Sequence, residues 1–134
     1  MLDKLKKNKD IKNIKEADNL VELECDKNNI LSVLKKLKEN DDFIFDQLLD
    51  ITAVDNPSRE CRFDLVYIIQ SLKKNKKLIL KTSLKENDTI ETIISVHKAA
   101  DWYERECYDL FGIEFKNHPD LSLIHISEPT RPDE

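Results

Sequence analysis

Arg62-Phe63-Asp64-Leu65-Val66-Tyr67-Ile68-Ile69-Gln70-Ser71 alternates without a break, with Phe63, Leu65, Tyr67 and Ile69 on one face and Asp64, Val66, Ile68 and Gln70 on the other. A period of two in β-branched and aromatic residues marks a strand with one buried face. Lys73-Lys74-Asn75-Lys76-Lys77 supplies a charged turn, after which Leu78, Leu80, Thr82 and Leu84 share one face of a second run. The pair predicts a β-hairpin, and with it a sheet built on antiparallel neighbours.

Upstream, Asp50-Ile51-Thr52-Ala53-Val54-Asp55 reads as a strand stopped by Asn56-Pro57, and the apolar run Phe43 to Leu49 before it fits either helix or strand. Leu20 to Cys25 alternates in part and reads as a strand. Asp26 to Asn29 offers capping chemistry, and Ile30, Leu31, Val33, Leu34 and Leu37 then have the spacing of an amphipathic helix ending near Asn40. Residues 1–18, mostly Lys, Asn, Asp and Ile, read as a frayed or short helical arm.

Downstream, Ile90, Ile93, Ile94 and His97 return to helical spacing. Asp101 followed by Glu104 has the pattern of a capping box opening a helix from Trp102 to about Phe111. Gly112, the only glycine of the chain, follows where a left-handed C′ residue is wanted. These elements predict an α+β fold, a two-layer sandwich whose mostly antiparallel or mixed sheet is covered on one side by helices.

The 134 residues suffice for one compact domain, and 40% hydrophobic with 37% charged residues suits a modest core under a well-solvated surface. A lone glycine excludes Gly-rich phosphate loops, dinucleotide fingerprints and nucleophile elbows. Net charge of -5 argues against nucleic acid as a partner. No run approaches the ~20 apolar residues of a membrane span, and Met1 to Lys9 lacks a signal-peptide core; a cytoplasmic setting is the expectation. Cys25, Cys61 and Cys107 lie dozens of residues apart with no CxxC, which signals neither zinc nor iron–sulfur ligation and suggests packed, reduced thiols. Eighteen lysines stand against four arginines, Arg59, Arg62, Arg105 and Arg131, so arginine is expected where a planar fork is needed.

The stretch from Trp102 to Gly112 is both the most aromatic and among the most charged. Arg105 lies four residues from Asp101 and from Asp109, within reach of either on one helical face. Two readings follow: a surface helix laced by intrahelical pairs, or an interface helix whose aromatics anchor and whose charges set register. Glu104, Glu106 and Asp109 could serve as acid–base carboxylates, but no nucleophile or cleft-forming loop accompanies them. His97 and His118 fall in no metal-ligand spacing.

Glu104-Arg105-Glu106-Cys107-Tyr108-Asp109-Leu110-Phe111-Gly112-Ile113-Glu114-Phe115-Lys116-Asn117-His118-Pro119-Asp120-Leu121 closely resembles the signature of one NADH-quinone oxidoreductase family, that of the C subunit, the small hydrophilic peripheral-arm subunit of respiratory complex I. Leu49 to Asp55 and Arg62 to Tyr67 resemble the same family's upstream strands, so the likeness runs from about Leu20 to Leu121. Asn117 stands where many members have glycine, and asparagine also tolerates the left-handed region. The resemblance implies a subunit with no cofactor, metal or catalytic residue of its own, in a complex passing electrons from NADH to quinone coupled to proton translocation. It also implies packing on the large hydrogenase-like quinone-site subunit near iron–sulfur subunits, on the cytoplasmic side and touching the membrane only through the complex. An equivalent subunit of a membrane-bound energy-converting [NiFe] hydrogenase is the alternative. Residue by residue, Glu104, Arg105, Glu106, Asp109 and Leu110 would form the partner-facing helix, Phe111 and Gly112 its end, and His118, Pro119 and Asp120 the exit turn.

The end of the chain departs from that pattern. Leu121-Ser122-Leu123-Ile124-His125-Ile126-Ser127-Glu128-Pro129-Thr130-Arg131 resembles the in-frame translation of a transposase sequencing adapter. The expected organisation is therefore an arm at 1–18, the α+β domain at 19–121 and a non-native tail at 122–134. A stop codon just after Glu134 in intact genomic DNA would sink the last of these expectations.

Overall fold

The structure, a computed structural model, describes residues 10–41 and 44–118. The order is β1 (Ile11–Ala17), β2 (Leu20–Cys25), a 3₁₀ turn (Lys27–Asn29), α1 (Ile30–Glu39), β3 (Gln47–Asp55), β4 (Phe63–Ser71), β5 (Lys76–Leu84), β6 (Thr89–Glu91), α2 (Ala100–Phe111) and β7 (Glu114–Lys116). Five strands form one sheet in the order β1-β2-β5-β4-β3, and β6 and β7 form a second, parallel pair. Within the large sheet β2 and β5 run parallel and every other neighbouring pair antiparallel, so the sheet is mixed.

The alternation read in β4 is the burial pattern observed: Phe63, Leu65, Tyr67, Ile69 and Ser71 are buried while the residues between are half-exposed. They face Leu78, Leu80, Thr82 and Leu84 of β5 through an uninterrupted register from Phe63↔Leu84 to Ser71↔Lys76. Ile30, Val33, Leu34 and Leu37 of α1 and Ala100 and Cys107 of α2 join that same core, and among the described residues the other sheet face carries no helical layer. The two-layer α+β expectation is met. Asp26 accepts from the Asn28 amide at 3.0 Å and so starts the turn that leads into α1.

Three local expectations are corrected. Residues 11–17, read as part of a helical arm, form edge strand β1, paired antiparallel with β2. A register shift between Lys12 and Lys15, with Asn13 at φ 55°, breaks the alternation that would have marked it as a strand. The helix expected over Ile90 to His97 is absent. Thr89–Glu91 is a strand, and the i, i+3, i+4 spacing beyond it serves a single turn, with the Val96 and His97 amides both donating to the Ile93 carbonyl. The capping box is also overturned, because α2 begins at Ala100 after Ala99, with no side-chain cap. Pro119, Asp120 and the stretch 122–134 lie outside the described residues.

Arginine is used as its rarity suggested. The Arg62 fork meets both Asp55 oxygens at 2.7 and 3.0 Å while the guanidinium lies 5.2 Å from the Phe63 ring centre. Arg59 binds the Cys61 carbonyl and Asp64. Both forks pin the connection between β3 and β4.

Candidate functional site

α2 packs along edge strand β3. The Cys107 thiol donates to the Ile51 carbonyl at 3.4 Å, and Phe111 meets Phe63 edge-on at 6.1 Å between ring centres. Gly112 ends the helix at φ 73°, its amide donating to the Tyr108 carbonyl at 2.9 Å. A Cβ there would touch nothing within 4 Å, so the left-handed backbone, not crowding, calls for glycine.

The ten residues singled out in the sequence divide into an inner and an outer set. Glu104 is fully buried, in the stripe Ala100, Glu104, Cys107 that faces the core. Its Oε2 accepts from the Ile93 amide at 2.9 Å and its Oε1 from the Thr92 hydroxyl at 2.5 Å. Burial pushes the carboxyl up to about 7, against the opposing pull of those two donors and helped by nearby Asp101 and Glu91. His118, also fully buried, places Nε2 3.3 Å from the backbone oxygen and from one carboxylate oxygen of Asp101, and 3.9 Å from Glu104. One cluster therefore ties the loop after β6, the first turns of α2 and the chain leaving β7. Asn117, at φ 66°, makes the expected left-handed turn and donates to Glu91 at 2.7 Å.

Glu104 and His118 thus present no surface to a partner; they bind within the chain. Asp101, read as a cap, serves His118 instead. Thr92 escaped the sequence reading because a buried hydroxyl twelve residues from its carboxylate leaves no spacing signal. The outer set is different. Leu110 is 74% exposed and, eight residues away on the same helix face, Trp102 is 60% exposed. Asp109 and Gly112 are exposed, and Arg105, Glu106 and Phe111 are half-buried.

The remaining reactive groups are quiet. Burial, chiefly, pushes Cys25 and Cys107 up to about 12, with Asp50, Glu104 and Glu106 adding to the effect at Cys107. His97 is pushed down to about 4 by burial and by Lys38. Among the described residues no group of three His, Cys, Asp or Glu is placed to hold a metal, and no helix is long and apolar enough to cross a membrane.

Comparison with known proteins agrees with this geometry. The family described as "Respiratory-chain NADH dehydrogenase, 30 Kd subunit" matches residues 23–132. The C subunit of NADH-quinone oxidoreductase from Cereibacter sphaeroides is 43% identical over 97 residues, covering 72% of this chain and 48% of that protein. Its counterpart from a Caulobacter species is 44% identical, covering 72% and 45%. The chain thus spans about half the length of the relatives it matches. A trypsin-resistant fragment of Nqo5 superposes with a TM-score of 0.73 at 25% identity, covering 89% of this chain and 95% of the fragment. A chain of the membrane-bound sulfane sulfur reductase, an archaeal respiratory membrane complex, gives 0.74 at 27% identity, covering 84% and 66%. With the signature helix, its glycine stop and the mixed sheet beneath it all in place, the chain belongs to the family of the 30 kDa subunit of respiratory-chain NADH dehydrogenase, which is that of the C subunit of NADH-quinone oxidoreductase.

Proposed function

We propose that this chain is a non-catalytic assembly subunit of an NADH:quinone oxidoreductase. It holds no cofactor, lies peripherally on the cytoplasmic side, and packs through the outer face of α2 on the large hydrogenase-like subunit that helps form the quinone site, close to the iron–sulfur subunits. The observation that carries this reading is the pairing of Trp102 and Leu110. Two large apolar side chains project from one face of a helix whose inner face is already anchored. Leu110 lies within the stretch that resembles the family signature and Trp102 two residues before it, on the same helix, which supports the choice of partner.

The likeness to a chain of the sulfane sulfur reductase favours a second reading, in which the same face serves a related membrane complex such as an energy-converting [NiFe] hydrogenase. Gene neighbours separate the two. Genes for NADH- and flavin-binding subunits support the first, and a large subunit with nickel-ligating CxxC pairs at both ends supports the second.

The direct test is co-purification of the large subunit with Arg105→Lys and Trp102→Ala variants expressed in the whole complex. Loss of the planar guanidinium, which alone can pair bidentately with a partner carboxylate, or of the aromatic anchor weakens recovery. Undiminished recovery with both would refute the interface.

A further inference from the structure

The exposed apolar side chains are unevenly spread. Among the described residues six large ones are exposed: Leu20, Leu49, Val54, Leu72, Trp102 and Leu110. Four of the six belong to edge strand β3 or to α2, which packs along it. Leu49 is the extra residue of the bulge between Leu48 and Asp50, turned outward at 36% exposure, and Val54 is 50% exposed.

Charge is uneven in the same place. About one residue in six of the chain is Lys or Arg, yet β3 and α2 together carry only Arg105 and no lysine. Their acids are Asp50, Asp55, Asp101, Glu104, Glu106 and Asp109. Asp55 is held by Arg62, Asp101 faces His118, and Glu104 is buried. That leaves Asp50, Glu106 and Asp109 around the seam. Strands farther from β3 are lysine-bearing, with Lys12 and Lys15 on the far edge strand β1 and Lys76, Lys77 and Lys81 on the central strand β5. Loss of lysine together with exposed tryptophan and leucine is the composition of a protein–protein contact, not of a solvated surface.

We infer that the β3–α2 edge is one docking edge, around which a single partner reaches from the outer face of α2 past the Leu49 bulge to Asp50 and Val54, which the strand's alternation sets on the helix-free face of the sheet, and that this partner is a basic, apolar-bearing segment of another subunit. This rests on the assembly role proposed above and adds both the strand and the sign of the partner's charge. A second copy of this chain is disfavoured as occupant, because it would set carboxylates against carboxylates.

The test places a photo-cross-linking amino acid at Val54 in one variant and at Leu110 in another, within the intact complex purified through a tag on a different subunit. Both positions are exposed, so neither change disturbs the core. The expected result is that both cross-link to the same subunit, on segments bearing Lys or Arg. A cross-link from Leu110 with none from Val54, or links from both to acidic segments or to a second copy, overturns the inference while leaving α2 as a contact; no link from either overturns the assembly role as well.

A double charge reversal, Asp50→Lys with Glu106→Lys, reduces recovery of the complex by about tenfold, and the neutral pair Asp50→Asn with Glu106→Gln reduces it less. Thermal unfolding of the isolated variants separates lost docking from lost folding. Unchanged recovery of a folded double-reversal variant overturns the inference.

Discussion

Replacing Glu104 with glutamine tests whether the inner cluster is as dry as its geometry implies. The side chain is fully buried, and burial raises its carboxyl from an ordinary 4.5 to about 7 even though the Thr92 hydroxyl and Ile93 amide both favour the carboxylate. The sign follows from proton counts. Between those two values the folded chain keeps a proton that the unfolded chain has released, so the contribution of Glu104 makes stability fall as pH rises through that window and level off above it. At about 1.4 kcal/mol per pH unit, the full displacement is worth about 3 kcal/mol. Glutamine has the same shape, keeps an oxygen to accept from the Ile93 amide, offers its NH₂ to the Thr92 hydroxyl oxygen, and does not titrate. The measurement is urea unfolding of wild type and Glu104→Gln at a series of pH values from 4 to 8. Taking the difference cancels the other titrating groups. The variant should gain about 3 kcal/mol relative to wild type across the series, nearly all of it below pH 8. A difference that stays flat to within about 0.5 kcal/mol would show that the charge costs nothing where it sits, and would refute the account of Glu104 as a desolvated internal carboxyl.

Gly112→Ala should destabilise the fold by about 1 kcal/mol, read from a chemical unfolding midpoint, because the added methyl meets open space and only the left-handed backbone resists it. Tyr67→Phe should leave stability unchanged or raise it by up to about 1 kcal/mol, since the buried hydroxyl has no hydrogen-bond partner among the described residues. Leu110→Ser should alter the isolated chain by less than about 0.5 kcal/mol while impairing recovery of the complex, a split visible by comparing unfolding with co-purification. Iodoacetamide at pH 8 should modify half-exposed Cys61 well before Cys25 or Cys107, which are buried and whose thiols burial holds near 12; mass spectrometry of the folded chain reads the order.

The sheet was legible wherever one face is buried and the other wet. Phe63 to Ser71 and Leu78 to Leu84 announced themselves because a period of two survives over whole strands. β1 did not, because its bulge at Lys12 to Lys15 shifts phase partway along and leaves Ile11 as its one buried residue. Thr89 to Glu91 and Glu114 to Lys116 are three residues each and, among the described residues, pair with one another alone, too short for either period to register. Ile93, Ile94 and His97 misled for the opposite reason: a single turn satisfies helical spacing as well as a helix does. Of the site, the outer residues were legible by type and the inner ones only by phase. Pairing across long separations, Thr92 with Glu104 or Asp101 with His118, has no local trace.

Glu104 shows what phase can decide when type misleads. Asp-x-x-Glu before an apolar run is a capping pattern, and on type alone Asp101 and Glu104 fit it. Yet Ala100, Glu104, Cys107 and Phe111 recur at intervals of four, three and four, the stripe of a helix lying against a core. On that phase the glutamate points inward. A carboxylate in a buried stripe needs donors from elsewhere in the chain, because an unpaired charge there is too costly to keep. The donors are the Thr92 hydroxyl and Ile93 amide, with the His118 ring beside them, and they fix the rotation of α2. That rotation turns Trp102 and Leu110 outward together. The inner carboxylate and the outer apolar pair are therefore one arrangement seen from two sides, and loosening the first should blur the face presented by the second.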